Sequence, residues 1–141
     1  MTISDAVRER VAVRANQRCE YCQMPAVYVY APMEIDHIRP LFLNGTDDED
    51  NLCFACPRCN GFKGAQIVGI DPVTQQEVNL FNPRIHTWSE HFAWADDQAH
   101  IIGQSVCGRA TVAALQLNTE EAVSFRRIMV SIGGYPPDDI R

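Results

Sequence analysis

Two Cys-x-x-Cys pairs constrain this chain more than any other feature of its sequence. Cys19 and Cys22 form the first pair, Cys56 and Cys59 form the second, and a long segment separates the two. Each pair can form a tight knuckle, and two knuckles supply four thiolates at the corners of a tetrahedron. Four protein ligands leave no open position, so such a zinc is structural. The spacing therefore predicts one structural zinc that joins two distant parts of the chain.

A fifth cysteine leaves the choice of ligands open. Cys53, Cys56 and Cys59 are equally spaced, so Cys53-x-x-Cys56 is also a formal pair. We favour Cys56 and Cys59, because Cys53 lies in an apolar stretch while Cys59 leads directly into Asn60. Cys53 and Cys107 are then expected to be small buried apolar side chains.

Composition limits the class of protein. A length of 141 residues suits one domain, or a small core with an extension, and 46% hydrophobic residues make disorder a poor interpretation. The sequence shows neither a leader pattern nor an apolar run near the roughly 18 residues of a membrane span. We therefore expect a cytoplasmic protein, in which zinc is favoured over disulfides. The net charge of −6 argues mildly against a nucleic-acid partner, although bulk charge says little about a local patch.

Local patterns predict the elements around the cysteines. Ser4 is a candidate N-cap for a helix over residues 5–17. Segments 27–31, 34–38 and 52–55 are predicted strands, and a short helix should begin at Pro57 and end at Gly64. Further along, residues 67–81 and 91–103 each predict a hairpin. Helices are expected over 111–117 and, capped by Asn118, up to about residue 132.

The segment between the knuckles holds residues suited to hydrolysis. Asp36-His37 is followed by Pro40 and Asn51, and Asn60 comes directly after the second pair. A histidine can accept a proton at physiological pH, and a divalent ion can offset charge on a phosphate. Adjacent strand residues point to opposite faces. Asp36 and His37 can therefore serve one site only where the strand twists or ends.

These residues carry a resemblance to a known family. The motif Asp36-His37-Ile38-x-Pro40, Asn51-Leu52 and Cys56-x-x-Cys59-Asn60-x-x-Lys63 resembles that of HNH endonucleases, which are ββα-metal nucleases. Segments of 80–118 are also similar to extensions of small bacterial, often cyanobacterial, HNH proteins.

The resemblance implies a role for each matching position. His37 would be the general base, Asp36 and Asn60 the ligands of one magnesium or manganese ion, and Asn51 the residue that ties the loop between the strands. Many members carry histidine at the position of Asn60, and the harder oxygen ligand favours magnesium. Candidate substrate contacts are Arg39, Arg58 and Lys63.

The sequence thus predicts an α+β fold. Residues 1–66 would form a zinc-stapled ββα-metal core with an N-terminal helix, and residues 67–141 an extension of β-hairpins and helices packed on it. The predicted function is metal-dependent hydrolysis of nucleic acid, and the resemblance to the family favours DNA as the substrate. Two alternatives stay open: a non-catalytic zinc-ribbon-like DNA-binding or adaptor module, and a nuclease subunit or toxin that depends on a partner.

Overall fold

The computed structural model describes residues 3–140 and divides the chain into two compact units, Met1–Ala65 and Gln66–Arg141. The helices in these residues are α1 (Asp5–Arg14), α2 (Pro57–Lys63), α3 (Trp88–His91), α4 (Val106–Ala114) and α5 (Glu120–Ser131). The strands are β1 (Glu34–His37), β2 (Leu52–Ala55), β3 (Val68–Ile70), β4 (Glu77–Asn79), β5 (Phe92–Trp94) and β6 (Ile101–Gly103). This mixture of helices and small antiparallel sheets confirms the α+β class. Within the described residues, no helix has the length and apolar character needed to cross a membrane.

The first unit contains the predicted strand, loop, strand and helix in one continuous segment. β1 and β2 pair antiparallel, with Asp36 opposite Cys53 and His37 opposite Leu52. α2 follows β2 at once: the Cys56 side chain accepts from the backbone of Cys59, and Pro57 occupies the first turn. Proline suits this position because its missing N–H would have no partner inside the helix. Gly64, with φ of 53°, ends the helix as predicted.

The N-terminal helix is shorter than predicted. Ser4 caps α1 by accepting from the backbone of Val7, as expected. The helix ends at Arg14 rather than Gln17, because Asn16 and Gln17 adopt positive φ angles of 54° and 58°. A left-handed residue cannot continue a right-handed helix.

The first unit has a small apolar core. α1 packs against β2, and the buried cluster consists of Val11, Ala12, Ala15, Leu52 and Phe54. The Arg14 guanidinium donates to the carbonyl of Leu52 at 2.7 Å, which adds a polar tie between helix and strand. The predicted strand over 27–31 is wrong, because this segment contains a short 3-10 turn, Ala26–Tyr28.

The second unit contains both predicted hairpins, β3–β4 and β5–β6. Its core is rich in aromatic rings, since Phe81, Trp88 and Phe92 are all buried. The Trp94 indole lies against Tyr135 and donates to its hydroxyl at 2.8 Å.

Two helix starts in the second unit differ from the prediction. The helix expected over 111–117 is α4, which begins at Val106 because Ser105 caps it by accepting from Gly108. α5 is capped by Thr119 rather than Asn118. Asn118 instead pairs with both backbone groups of Ile101, at 2.8 and 2.7 Å. The tertiary contact therefore competes successfully with the local capping role.

Candidate metal centre and active site

The four predicted cysteines come together in one buried cluster. The Sγ atoms of Cys19, Cys22, Cys56 and Cys59 all lie within 4.8 Å of one another. Zinc–sulfur bonds of about 2.3 Å in a tetrahedron would place the sulfurs about 3.8 Å apart. The Cys22–Cys56 separation of 4.0 Å is close to that value. The donor set therefore fits zinc, and Cys53 lies outside the cluster as predicted.

Backbone geometry shapes the first knuckle and ties it to the sheet. The Cys19 amide donates to Met24, and the Gln23 amide donates back to Cys19 at 2.8 Å. Gln23 takes a φ of 65°, which turns the chain within four residues. Glu20 pairs with Phe54 through both its backbone amide and its carboxylate, each at 2.8 Å. The knuckle is therefore fixed to β2, which leads directly into the second cysteine pair.

The surroundings of the buried thiols shift their pKa values in opposite directions. Burial raises the pKa of the Cys19 thiol well above its usual value, with contacts to the other thiols adding to the effect. Hydrogen bonds from Cys19, Cys22 and Cys59 instead lower the pKa of Cys56. Four crowded buried sulfurs cannot all be thiolates without a compensating cation. A divalent metal provides that compensation, because it stabilises each coordinating thiolate.

Asp36 lies on the side of β1 that faces α2 and is 4% exposed. Its Oδ2 accepts from the Tyr21 hydroxyl at 2.7 Å and is 3.5 Å from the Cys53 thiol. Burial raises the pKa of Tyr21 well above its usual value, so its hydroxyl keeps the proton that it donates. Burial likewise raises the pKa of Cys53, which keeps this thiol protonated, and the thiol is buried against Tyr21 and Asp36 rather than in a purely apolar setting.

Lys63 reaches the same carboxylate from α2. Its Nζ is 3.1 Å from Oδ2 and 3.3 Å from Oδ1 of Asp36, and both side chains are almost fully buried. The ammonium also donates to the carbonyls of His37 and Ile38, at 3.3 and 3.2 Å. Contact with a phosphate would require breaking these bonds. In this arrangement Lys63 holds the end of β1 against α2.

His37, at the last position of β1, is half-buried. Its Nε2 lies 2.7 Å from Oδ1 of Asp47. A carboxylate only accepts hydrogen bonds, so this contact assigns the imidazole proton to Nε2. Nδ1 of the neutral ring is then left as a proton acceptor.

Asn51 ties the segment that follows β1. Its side chain pairs with both backbone groups of Arg39, each at 2.9 Å, and also donates to Thr46 at 2.8 Å. This amide therefore bridges the two ends of the loop. The Arg39 guanidinium turns back and donates to the carbonyl of Leu43 at 3.1 Å.

Asn60 and Arg58 project from α2. The Asn60 amide nitrogen donates to Oε1 of Glu34 at 2.8 Å, which leaves its Oδ1 as the atom that can coordinate an ion. The Arg58 guanidinium lies 4.7 Å from the centre of the Phe62 ring, in a cation–π contact.

One open cleft of about 480 Å³ brings the predicted reactive residues together. The residues lining it are Ile35, Asp36, His37, Pro40, Leu41, Phe42, Asn60, Gly64 and Ala65. Asp36, His37 and Asn60 therefore share one site, although Asp36 and His37 are consecutive on a strand. Arg39, Arg58 and Lys63, predicted to contact substrate, are not among the lining residues.

Sequence reasoning missed the partners of the reactive groups. Tyr21 lies between two cysteines, and no local pattern links it to Asp36. Asp47 belongs to the acidic run of residues 47–50, in which nothing distinguishes it from its neighbours. Glu34 lies two residues before Asp36, and its alternation with Asp36 on one strand face was the available signal.

Comparison with known proteins agrees with this arrangement. Residues 19–66 match the family model described as HNH endonuclease. The match includes both knuckles, the Asp36-His37 step, Asn51 and Asn60. No curated protein and no solved structure matches the chain significantly. Residues 19–66 are therefore similar to the HNH endonuclease family, which suggests endonuclease activity and implies binding of nucleic acid.

Proposed function

We propose that this protein is a metal-dependent endonuclease that hydrolyses phosphodiester bonds, with DNA as its substrate. The observation that carries the proposal is the single cleft lined by Asp36, His37 and Asn60. These residues provide a proton acceptor and two oxygen donors, which is what hydrolysis of a phosphodiester requires. A binding module would need only the cysteine knuckles.

His37 acts as the general base in this proposal. Its Nε2–H donates to Asp47, and this bond fixes both the ring orientation and the tautomer. Nδ1 then takes the proton of the attacking water. Asp47 is a positioning residue, because it acts through the imidazole and its carboxylate also favours the imidazolium that forms.

Asp36 and Asn60 are the residues that would hold a magnesium or manganese ion. Carboxylate and amide oxygens suit these hard cations. The Asn60 amide nitrogen is engaged by Glu34, which orients its oxygen. When bound, the ion would offset the charge that develops on the phosphate. The Lys63 ammonium beside Asp36 reduces the negative charge there, which favours modest ion affinity and dependence on the second ligand, Asn60.

Substrate contacts are proposed for Arg39 and Arg58, whose guanidinium groups can bind phosphate oxygens. The Arg39 guanidinium donates to the carbonyl of Leu43 and the Arg58 guanidinium lies over the Phe62 ring, and these contacts hold each group in place. For Lys63, the sequence-based contact with substrate is less favoured than a positioning role, because its ammonium is buried.

Cleavage of supercoiled plasmid tests this proposal. The parent should nick or linearise the plasmid with magnesium or manganese and lose activity after the ion is removed. Asn60→Ala should need a much higher ion concentration, while its zinc content and thermal midpoint stay those of the parent. Val27→Ala, an exposed change at a residue that does not line the cleft, is the matched control. A parent that binds DNA but never cleaves it would favour the binding-module alternative.

A further inference from the structure

We propose that Leu41 and Phe42, here called the apolar turn, form a contact site for an unstacked nucleobase beside the cleft. The inference rests on the proposed function and names its substrate class: DNA with unpaired nucleotides next to the cleaved bond. The juxtaposition that carries it is an exposed aromatic ring at the edge of a cleft lined by His37 and Asn60.

Both side chains of the apolar turn are largely exposed to solvent. Leu41 is 50% and Phe42 is 75% exposed, yet both line the cleft that holds the reactive residues. Exposed apolar side chains are common singly, whereas a contiguous apolar patch rimmed by polar residues is typical of an interaction site, and here the polar rim is the cleft with His37 and Asn60. Neither belongs to the buried cluster of the first unit.

Backbone contacts fix the position of the turn. The amides of Leu43 and Gly45 both donate to Pro40, at 3.0 and 2.9 Å. Asn44 takes a left-handed φ of 68°, and a Cβ at Gly45 would lie only 1.8 Å from the carbonyl oxygen of Arg39. Asn51 holds Arg39 through both of its backbone groups. The ring of Phe42 is therefore presented by a closed turn, which reduces the entropy lost when it contacts a ligand.

The lining of the cleft itself favours base contacts over phosphate contacts, which leaves phosphate binding to residues outside the lining, such as Arg39 and Arg58. Among the described residues that line it, none is an arginine or a lysine. The whole chain carries a net charge of −6, which weakens long-range attraction of a phosphate backbone. Stacking of a base on an aromatic ring needs no positive charge and occurs with every base, because each has a π face. The apolar turn can thus supply affinity that electrostatics does not.

Such a contact discriminates between forms of nucleic acid. The faces of bases in an intact duplex are covered by their neighbours, and exposing one costs unstacking and unpairing energy. Single strands, loops and mismatches present their bases without that cost. A ring held at the cleft edge therefore favours strands with an unpaired nucleotide near the scissile phosphate.

The test uses one binding probe that is independent of cleavage. A short oligothymidine with a single 2-aminopurine, and the same strand paired to its complement, are titrated without magnesium or manganese. We expect the parent to bind the single strand more tightly and to quench its fluorescence by stacking. Phe42→Ala should weaken that binding by about 5- to 150-fold, the usual effect of removing a stacking ring, with little change for the duplex. Phe42→Trp should preserve the quench, and Val27→Ala, 82% exposed, should match the parent.

Each outcome separates this inference from the proposed function. If Phe42→Ala loses the preference for single strand over duplex and the parent never cleaves plasmid, the base contact would be supported and the nuclease proposal contradicted. Cleavage by the parent with equal single-strand binding in Phe42→Ala would overturn the base contact alone. Equal affinity of the parent for both probes would also overturn it, and would leave a protein partner as the occupant of the apolar turn.

Discussion

The two compact units are stabilised by different means. In the first unit, a five-residue apolar cluster is supplemented by four buried thiols and by the buried Asp36–Lys63 pair. In the second unit, the buried core is built from aromatic and aliphatic side chains such as Phe81, Phe92 and Leu115. A small apolar core contributes little stability on its own, so the first unit should depend on its metal and the second should not.

The two units also differ in the contacts that their buried polar groups make. In the second unit, Arg109 forms two bonds with Asp71, at 2.9 and 2.8 Å, and Arg126 is buried against backbone carbonyls. These bonds connect loops and helices around an apolar core. In the first unit, the buried Asp36–Lys63 pair lies beside the candidate cleft, which Asp36 lines. Buried charges thus connect loops and helices in the second unit, whereas in the first they hold a candidate site residue.

Loss of a zinc ligand should have the largest effect and should be confined to the first unit. Cys22→Ser should abolish zinc binding and unfold residues 1–65, because structural zinc contributes about 10–16 kcal/mol in small zinc domains. Zinc content and limited proteolysis report on the first unit. Both tryptophans of the chain, Trp88 and Trp94, lie in the second unit, so their fluorescence should stay native.

Cys107→Ser is the matched control and should keep its zinc, since Cys107 lies outside the cluster. A Cys53→Ser variant that loses zinc, beside a Cys59→Ser variant that retains it, would show that the ligand set is wrong. A Cys22→Ser variant whose first unit resists protease as the parent does would break the comparison between the units.

Removal of the buried lysine should have the next largest effect. Lys63→Met leaves the Asp36 carboxylate buried with only neutral donors, and breaking a buried pair in this way costs about 3–5 kcal/mol. Chemical denaturation followed by zinc release should show the loss, and Arg58→Met, on the same helix, is the control. Unchanged stability of Lys63→Met would argue against a positioning role. Asp36→Ala has the converse defect, because it removes the carboxylate beside the buried ammonium of Lys63, so Asp36→Asn is the better probe of ion binding.

Acid should weaken the second unit through Asp71. The Arg109 guanidinium, with bonds from the Val73 amide and the Thr74 hydroxyl, holds the pKa of Asp71 well below its usual range. A carboxylate with a lowered folded-state pKa stabilises the fold above its unfolded value, near 3.9, and loses that contribution as pH falls further. Asp71→Asn should therefore lower the thermal midpoint, followed by tryptophan fluorescence, at about pH 7, and its difference from the parent should shrink progressively as pH falls below about 4.

Exposed Asp96→Asn serves as the control for the loss of one carboxylate nearby in sequence. A difference between the parent and Asp71→Asn that persists undiminished in acid would show that the Arg109 contact is not its source. The effect should be the smallest of the three, because the guanidinium is part-exposed and solvent screens the pair.

Local signals were sufficient for much of the first unit. The cysteine spacing predicted the cluster, and Pro57 and Gly64 marked both ends of α2, because each has a steric meaning that holds in any fold. The positions of Asn16 and Gln17 were missed, since neither residue requires a left-handed backbone. Asn118 was assigned to a cap because its bonds to Ile101 depend on a hairpin that is distant in sequence.

The candidate site residues could be selected from the sequence, but their surroundings could not. Asp36, His37 and Asn60 belong to a motif, whereas Tyr21 and Asp47 are recognised only when the fold brings them into contact with Asp36 and His37. The burial of Lys63 was also missed, because a lysine at the end of an amphipathic helix is usually solvated. Contacts between residues that are far apart in the sequence therefore limit how much of a site a motif can predict.

The most direct test of the central claim is the cleavage rate of His37→Ala. The account predicts a rate lower by about two to four orders of magnitude, the usual contribution of a positioned base, with zinc content, thermal midpoint and DNA binding like those of the parent. Adding Asp47→Asn to His37→Ala should not lower the cleavage rate further, because Asp47 acts through the imidazole. A purified His37→Ala variant that cleaves plasmid as fast as the parent would contradict the account.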